Sequence, residues 1–470
     1  MRSTFTGIET AMRAINAMQL ALDTTTHNIA NANTPGYSRQ RAELSASTPY
    51  TVPSMHRNPV PAQIGTGVNI DGVERIRDFF TDRQIRAANG QLSEYQTAVR
   101  YYDRIEAMIN EPSATEFNNQ LDRFWNAWSD LALHPTDLSA RAVVLEEGAR
   151  IADAMNTTMS QLTDLRVDAA NEVGFAVDEV NDLAREIAAL NKDIYKLVGI
   201  GQTPNDLQDR RDLLIDRLSA LTGATATFNA DGTADVTLDG RALVDGQNYE
   251  QLATQPAAGG NIDVVWASDN AAVTLPPGEL GSLQRVNNHL IPDVQAKFDE
   301  FFTALVDEVN AIHQNGYGMS DPAGPPPGRE FFTVTGGIYG VNAALQADPQ
   351  LIAAAQNAGQ PGDNTNALAL ASLATAKTMN GGTTSFNEHY GFLVASIGSD
   401  ARRVDDALAN RTAYVGYLEN QRQSVAGVSL DEEVANLIKF QHAYQAAARA
   451  MTAADQALDT IINRMGLVGR

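Results

Sequence analysis

Seven histidines and 57 carboxylates are the side chains of this chain that could hold a metal or move a proton, because cysteine is absent. Thiolate nucleophiles, disulfides and cysteine zinc sites are thereby excluded. No two histidines form a His-Glu-x-x-His pair or stand four residues apart, the spacing that turns two imidazoles toward one metal from one helical face. His27 and His442 fall in terminal helical stretches and read as polar or half-buried contacts. No Gly-Lys dipeptide occurs, so the phosphate-cradling loop of nucleotide hydrolases is missing. Gly65-Thr66-Gly67 and Gly199-Ile200-Gly201 lack the third glycine of a dinucleotide loop and read as turns. Around Asp231 to Asp239, Val236 and Ala242 stand where a calcium loop needs Gly and Glu. The adjacent Glu432 and Glu433 open a helix, where the helix dipole favours them without any acid–base role. Carboxylate pairs of the glycosidase type meet only in a fold, so spacing does not address them. The expectation is a chain without enzymatic activity, cofactor or metal.

If side chains do not carry the function as chemistry, surfaces must. At 470 residues the chain divides into several domains, and its net charge of −23 disfavours nucleic-acid partners. No apolar run approaches the roughly 20 residues of a membrane helix, so no membrane insertion is expected. Glu9 and Arg13 interrupt what would be the apolar part of a signal peptide, so export without a cleaved signal is expected. The charge is uneven. Residues 1–46 hold Arg2, Arg13, Arg39 and Arg41 against Glu9, Asp23 and Glu43, and residues 428–470 hold Lys439, Arg449, Arg464 and Arg470 against five acids, so the two ends cancel. All the acidity lies between them, which reads as ends made to touch something and a middle made to face water.

The ends carry matching apolar periods. Ile8, Ile15, Leu22 and Ile29 recur every seven residues, with Met18 on the same stripe. Leu430, Leu437, Tyr444, Met451, Leu458 and Met465 do the same, with Phe440, Ala447, Ala454 and Ile461 filling the companion row. Such a period at both extremes predicts a coiled coil of the N-terminal helix against the C-terminal one. The pair looks too small to stand alone, so both ends are expected to be mobile in the monomer and to fold when neighbouring subunits bury them.

Between the ends, residues from about 75 to 222 carry a helical pattern. Val173, Val180, Ile187 and Ile194 form one row of a long bundle helix, and Phe124, Trp128 and Leu131 share a face as an aromatic core cluster. Gly223 reads as a helix cap. Beyond it, short β-favouring runs alternate with Asp231-Gly232, Asp239-Gly240 and Asp245-Gly246, the signature of a β-meander. Helix resumes after Gly278, a Gly- and Pro-rich surface loop spans 316–330, and helix returns from about 386. The expected fold is mainly α with a small β domain, nested so that each unit closes around the next. Residues 1–40 with 428–470 would be the terminal coiled coil; 41–222 with 279–315 and 381–427 a helical bundle; 223–278 an outer β domain; and 316–380 an irregular insert.

Asn31-Ala32-Asn33-Thr34-Pro35-Gly36-Tyr37 ends the first seam as a helix stop, since Pro35 pushes its predecessor out of the α region and Gly36 permits a positive φ. In this place it resembles the signature of the axial proteins of bacterial flagella. The stretch from Gly427 through Ser429-Leu430-Asp431-Glu432-Glu433 to Arg449 looks like the C-terminal helix of the hook-associated protein 1 family, and Asp130-Leu131, His134 to Asp137 and Asn205 to Asp212 are also similar to it. The resemblance implies a structural adapter between hook and filament. Its partners would be copies of itself in a ring, the hook protein, the second hook–filament junction protein, and an export chaperone on the C-terminal helix. The assembly interface would comprise Ile8, Ile15, Met18, Leu22, Ile29, Leu430, Leu437, Phe440, Tyr444, Met451, Leu458 and Ile461, with Asn31, Thr34, Pro35, Gly36 and Tyr37 as the motif turn. Alternatives are another axial subunit (second junction protein, hook or rod), or a secreted hydrolase displayed on a coiled-coil stalk.

Overall fold

The computed structural model describes residues 5–49, 65–110 and 116–464; Met465, the last position of the C-terminal heptad row, lies outside them. Helix α1 (Thr6–Ala30) leads through the motif turn into an antiparallel hairpin, β1 (Gln40–Ala46) and β2 (Val68–Arg75). Four helices follow: α2 (Phe79–Asn110), α3 (Glu116–Leu133), α4 (Leu138–Gly199) and α5 (Asn205–Thr222). The hairpin corrects the reading of 41–222 as wholly bundle. Its strands are half-exposed and mostly polar, so they offer little apolar alternation to detect.

Helix α4 is the spine. Its 62 residues span about 93 Å, capped by Asp137, whose carboxylate accepts from the Ser139 N–H at 2.7 Å. Val173, Val180, Ile187 and Ile194 are all fully buried, as their spacing predicts. In its first third, Gly148 has no room for a side chain: a Cβ there would lie 2.7 Å from the Phe331 ring. Phe331 packs in turn on Phe124 and Trp128, and these with Leu131 are fully buried in the expected aromatic core.

Gly223 caps α5 at φ 72°, and the chain then forms the meander β3 (Thr225–Phe228), β4 (Ala234–Leu238), β5 (Arg241–Asp245) and β6 (Asn248–Tyr249), followed by the hairpin β7 (Leu252–Pro256) and β8 (Ile262–Trp266). Asp239 and Gly240 both take positive φ in the tight β4–β5 turn. The strands do not enclose a core of their own. Val236, Leu238, Leu243 and Val244 belong to the same apolar cluster as α4, and Asn191 of α4 bonds Ala234 in both directions while donating to the Gly246 carbonyl.

Helix α6 (Glu279–Arg285) runs through a π turn into α7 (Ile291–His313), and the insert follows. Its Pro-rich tip is exposed, but the rest is ordered: β9 (Phe332–Thr335) pairs with β10 (Ile338–Val341), and α8 (Ala343–Ala347) and α9 (Thr365–Ser372) close over the end of the bundle. Phe331, Phe332, Leu345, Ile352 and Leu370 are fully buried, so residues 331–370 build the core that an irregular insert would only decorate. Two long helices follow, α10 (Phe386–Ala426), which lies along α2, and α11 (Leu430–Asp459), which lies along α1.

His313 ties the insert to α7. Its Nδ1 donates to the Arg329 carbonyl at 2.8 Å and its Nε2 accepts from the Ala353 N–H at 3.0 Å, so the ring is held neutral by two backbone groups. Burial pushes it down to about 4 from 6.5. The unfolded chain therefore takes up a proton between those values that the folded chain refuses. Stability should fall by about 3 kcal/mol as pH drops from 6.5 to 4, with no further loss from this group below that. Urea unfolding at pH 7 and at pH 4.5 checks this: the wild type should lose more stability between the two conditions than His313→Asn.

Candidate functional site

The turn after α1 is built from its own polar groups. The Asn31 N–H closes the helix onto the His27 carbonyl, Thr34 Oγ donates to Asn31 Oδ1 at 3.1 Å, and the Tyr37 N–H reaches the Thr34 carbonyl. Gly36 takes φ 78°, and a Cβ there would lie 3.2 Å from Leu213 Cβ, so a side chain would be both strained and crowded. The turn thereby delivers Tyr37, Ser38 and Arg39 in three directions.

The Tyr37 hydroxyl donates to Asn28 Oδ1 at 2.7 Å; burial, with Asp206, Asp209 and Glu433 nearby, pushes that hydroxyl up and keeps it a donor. Ser38 gives its N–H and its hydroxyl to the two oxygens of Asp209, at 3.0 and 2.8 Å. Arg39 bridges to the start of α11, to Glu433 and to Glu432, both at 2.8 Å, while its N–H bonds the last carbonyl of α10 at Ala426. Glu433 also accepts from Asn28 Nδ2 at 3.1 Å and is 2 % exposed. Its role is more than the dipole capping expected of it: it is the counter-charge for Arg39.

A second layer lies beneath. Asp212, on the face of α5 that meets the hairpin, receives Arg77 at 2.5 Å, Arg75 at 2.9 Å and Arg211 at 3.0 Å. Burial opposes its ionisation, but Arg77, Arg211 and Arg75 together hold it below the usual carboxylate range. Arg75 also binds Asp209, so one carboxylate links Ser38 of the turn to the body. Asn205 donates to the Val73 carbonyl and Gln40 to Asp206, binding the hairpin to the same end of α5. Beside this hub, a groove of about 800 Å³ runs between the motif turn, α5 and the end of α10. Among the described residues no group of three His, Asp or Glu is placed to hold a metal, and no helix is long and apolar enough to cross a membrane.

The terminal helices pair antiparallel. A Cβ on Gly7 would lie 3.6 Å from Ala454 Cβ, and Asn28 meets Glu433, so each contact is three heptads from the other on both helices. On α11, Leu437, Phe440, Tyr444 and Met451 are half-buried and Leu458 is buried, whereas Leu430 and Ile461 lie exposed beyond the pair's contact. On α1 the closest packing belongs to small residues: Ala11, Ala17, Ala21, Thr24, Thr25 and Asn28 are buried, while Ile8, Ile15, Met18, Leu22 and Ile29 are half-buried. The row of large side chains therefore flanks the contact. Helix α1 touches both α11 and the β1–β2 hairpin, which requires a wide, shallow face, and a periodicity built on large apolar residues passes over alanine and threonine. Sequence reading also missed Arg75, Arg77 and Asp212 as one cluster; basic residues at the end of one run and acids at the start of another carry no mutual period.

Three sequence families match separate parts of the chain: "Flagellar hook-associated protein FlgK helical domain" over residues 102–332, "Flagellar basal body rod FlgEFG protein C-terminal" over 419–465, and "Flagella basal body rod protein" over 8–37. Flagellar hook-associated protein 1 of Bacillus subtilis is 33 % identical across the full length of both chains. The protein of the same name from Escherichia coli is 25 % identical over 97 % of this chain and 99 % of its own. The solved flagellar hook junction protein FlgK from Burkholderia pseudomallei shares the fold at a TM-score of 0.62 and 18 % identity, over 73 % of this chain and 100 % of that one.

Replacing Asp212 by Ala leaves three buried or half-buried guanidinium groups without their shared acceptor and should cost about 3–5 kcal/mol. Urea denaturation of Asp212→Ala checks this, with Asp168→Ala, whose Arg104 partner is exposed, as the control expected to lose less than about 1 kcal/mol.

Proposed function

The chain belongs to the flagellar hook-associated protein 1 family, structural components of the hook–filament junction, and from that premise we propose that it joins its neighbours there through the paired helices α1 and α11. The observation that supports this reading is the convergence of Asn31 to Arg39, Asn205 to Asp212 and Ser429 to Glu433 on one polar hub. A hub that fixes both chain ends to a rigid body is what a polymer subunit needs to pass a defined geometry to the next copy. The pair also keeps apolar surface uncovered: Leu430, Val434, Ile438 and Ile461 are exposed, and the row Ile8, Ile15, Leu22 and Ile29 is covered only in part.

In this reading the same subunit contacts copies of itself around a ring by unlike patches, the hook protein on one side and the second hook–filament junction protein on the other. An export chaperone would cover the α11 stripe before assembly, and the protein would leave the cell without a cleaved signal. Its acidic body, carrying the whole net charge of −23, would form the solvent-facing layer and keep unassembled subunits apart. No catalytic step is part of the role.

Leu437→Asp places a charge in the seam without a partner and should abolish incorporation while the body keeps its fold. Electron microscopy of flagella from cells carrying only this variant should show hooks without attached filaments, as should cells lacking the protein; filaments still joined to hooks would overturn the junction role. Because the pair has few large residues in its contact, the ends should open before the body. Limited proteolysis of the monomer should trim residues near both termini first, and full protection of both ends would refute assembly-coupled ordering.

A further inference from the structure

The packing of α1 against α11 leaves its own alignment poorly determined. The contact row of α1 is small (Ala11, Ala21, Thr25), and α11 presents Ala447 and Ala454 in the row that also holds Phe440. A sliding of one helix by a full heptad, about 10 Å along the axis, would set Gly7 and Ala14 against Ala447 and Phe440, or against Ile461 and Ala454, apolar residues in either case. Apolar character alone thus does not single out one alignment.

We propose that Glu433, with Asn28 and Arg39, is the positioning residue that selects one of these alignments. Glu433 lies in the companion heptad row, where every later member is apolar, and it is 2 % exposed. In the observed alignment its two oxygens are fully used: Oε1 takes Arg39 at 2.8 Å and Oε2 takes Asn28 Nδ2 at 3.1 Å. Asn28 is itself fixed, since it donates to the Gln40 carbonyl at 2.8 Å and accepts from the Gln40 N–H and the Tyr37 hydroxyl. Slippage by one heptad would set Glu433 opposite Ala21, or beyond the end of α1 at Pro35. Ala21 carries no side-chain donor and Pro35 has no N–H, so the Asn28 and Arg39 contacts have no equivalent there. A buried carboxylate that finds partners in one register only penalises all the others, as single polar seam residues do in coiled coils. The inference goes beyond the assembly role and holds whichever partner covers the pair.

Because the chain is free of cysteine, alignment can be read by disulfide trapping. Gly7→Cys with Ala454→Cys reports the observed register, and Gly7→Cys with Ala447→Cys or with Ile461→Cys reports the two slipped ones. In the otherwise unaltered full-length chain, oxidation should close only the first pair. With Glu433→Leu, which supplies an apolar residue to the row, a slipped disulfide should rise from background to a yield within about threefold of the first, whereas Glu433→Gln, which keeps the acceptor for Asn28 and Arg39, should keep the original pattern. Closure of only the first pair with Glu433→Leu overturns the proposal. So does loss of all three disulfides, because Glu433 would then hold the pair together instead of choosing its alignment, and so does slippage with Glu433→Gln.

Discussion

Two carboxylates at the start of α5, Asp209 and Asp212, hold the molecule's parts in their mutual positions. They gather Ser38 from the motif turn, Arg75 and Arg77 from the end of the hairpin, and Arg211 from their own helix. Buried charges are costly to desolvate, and a cluster of this kind is a poor source of net stability compared with an apolar core. What it supplies is direction. An apolar contact tolerates sliding and rotation, whereas a guanidinium that must meet a given carboxylate at less than 3 Å does not. The terminal helices leave the body with an orientation because that network has one satisfied arrangement.

Much of this architecture was legible in the sequence wherever one period governed a whole segment. The long row on α4 and the Asp-Gly turns of the meander each repeat a single environment and appear as expected, whereas the heptad row of α11 runs from exposed Leu430 to buried Leu458. The hairpin after the motif was not, because its strands are half-exposed on both faces and alternate little. The core contributions of Phe331, Phe332 and Leu345 were hidden for another reason: they sit in short elements after a Pro-rich loop, and burial there comes from contacts with α3 and α4, far away in sequence. At the hub, the motifs were recognisable as strings, but nothing in a string says that Ser38, Arg39 and Asn28 each face a different partner. On α1 the reading found the large residues at the flank and missed the small ones in contact, since close approach of two helices favours side chains that hydropathy ranks as unremarkable.

The body and the ends use opposite means of cohesion. Around α3, α7 and the insert, aromatic rings interlock with their centroids about 5–6 Å apart, and a neutral His313, Asn310 and Arg141 tie the insert's backbone in place. At the other extreme, polar contacts predominate and large apolar residues remain half-covered. A subunit divided in this way can keep its interior fixed while its ends respond to neighbours. The long pairing of α2 with α10 connects the two regimes, with Tyr390 and Ile397 in the aromatic core at one end of α10 and the Ala426 carbonyl at the hub at the other.

The antiparallel pairing of the first helix with the last has a temporal side. Helix α1 is made long before its partner α11, so the pair closes only after synthesis has passed Leu430. A product cut short between Ala426 and Leu430 has every helix of the body and a solitary α1, with Arg39 lacking both of its carboxylates. The pair thus reports on its own synthesis: only a chain that includes α11 can present the two-helix arrangement.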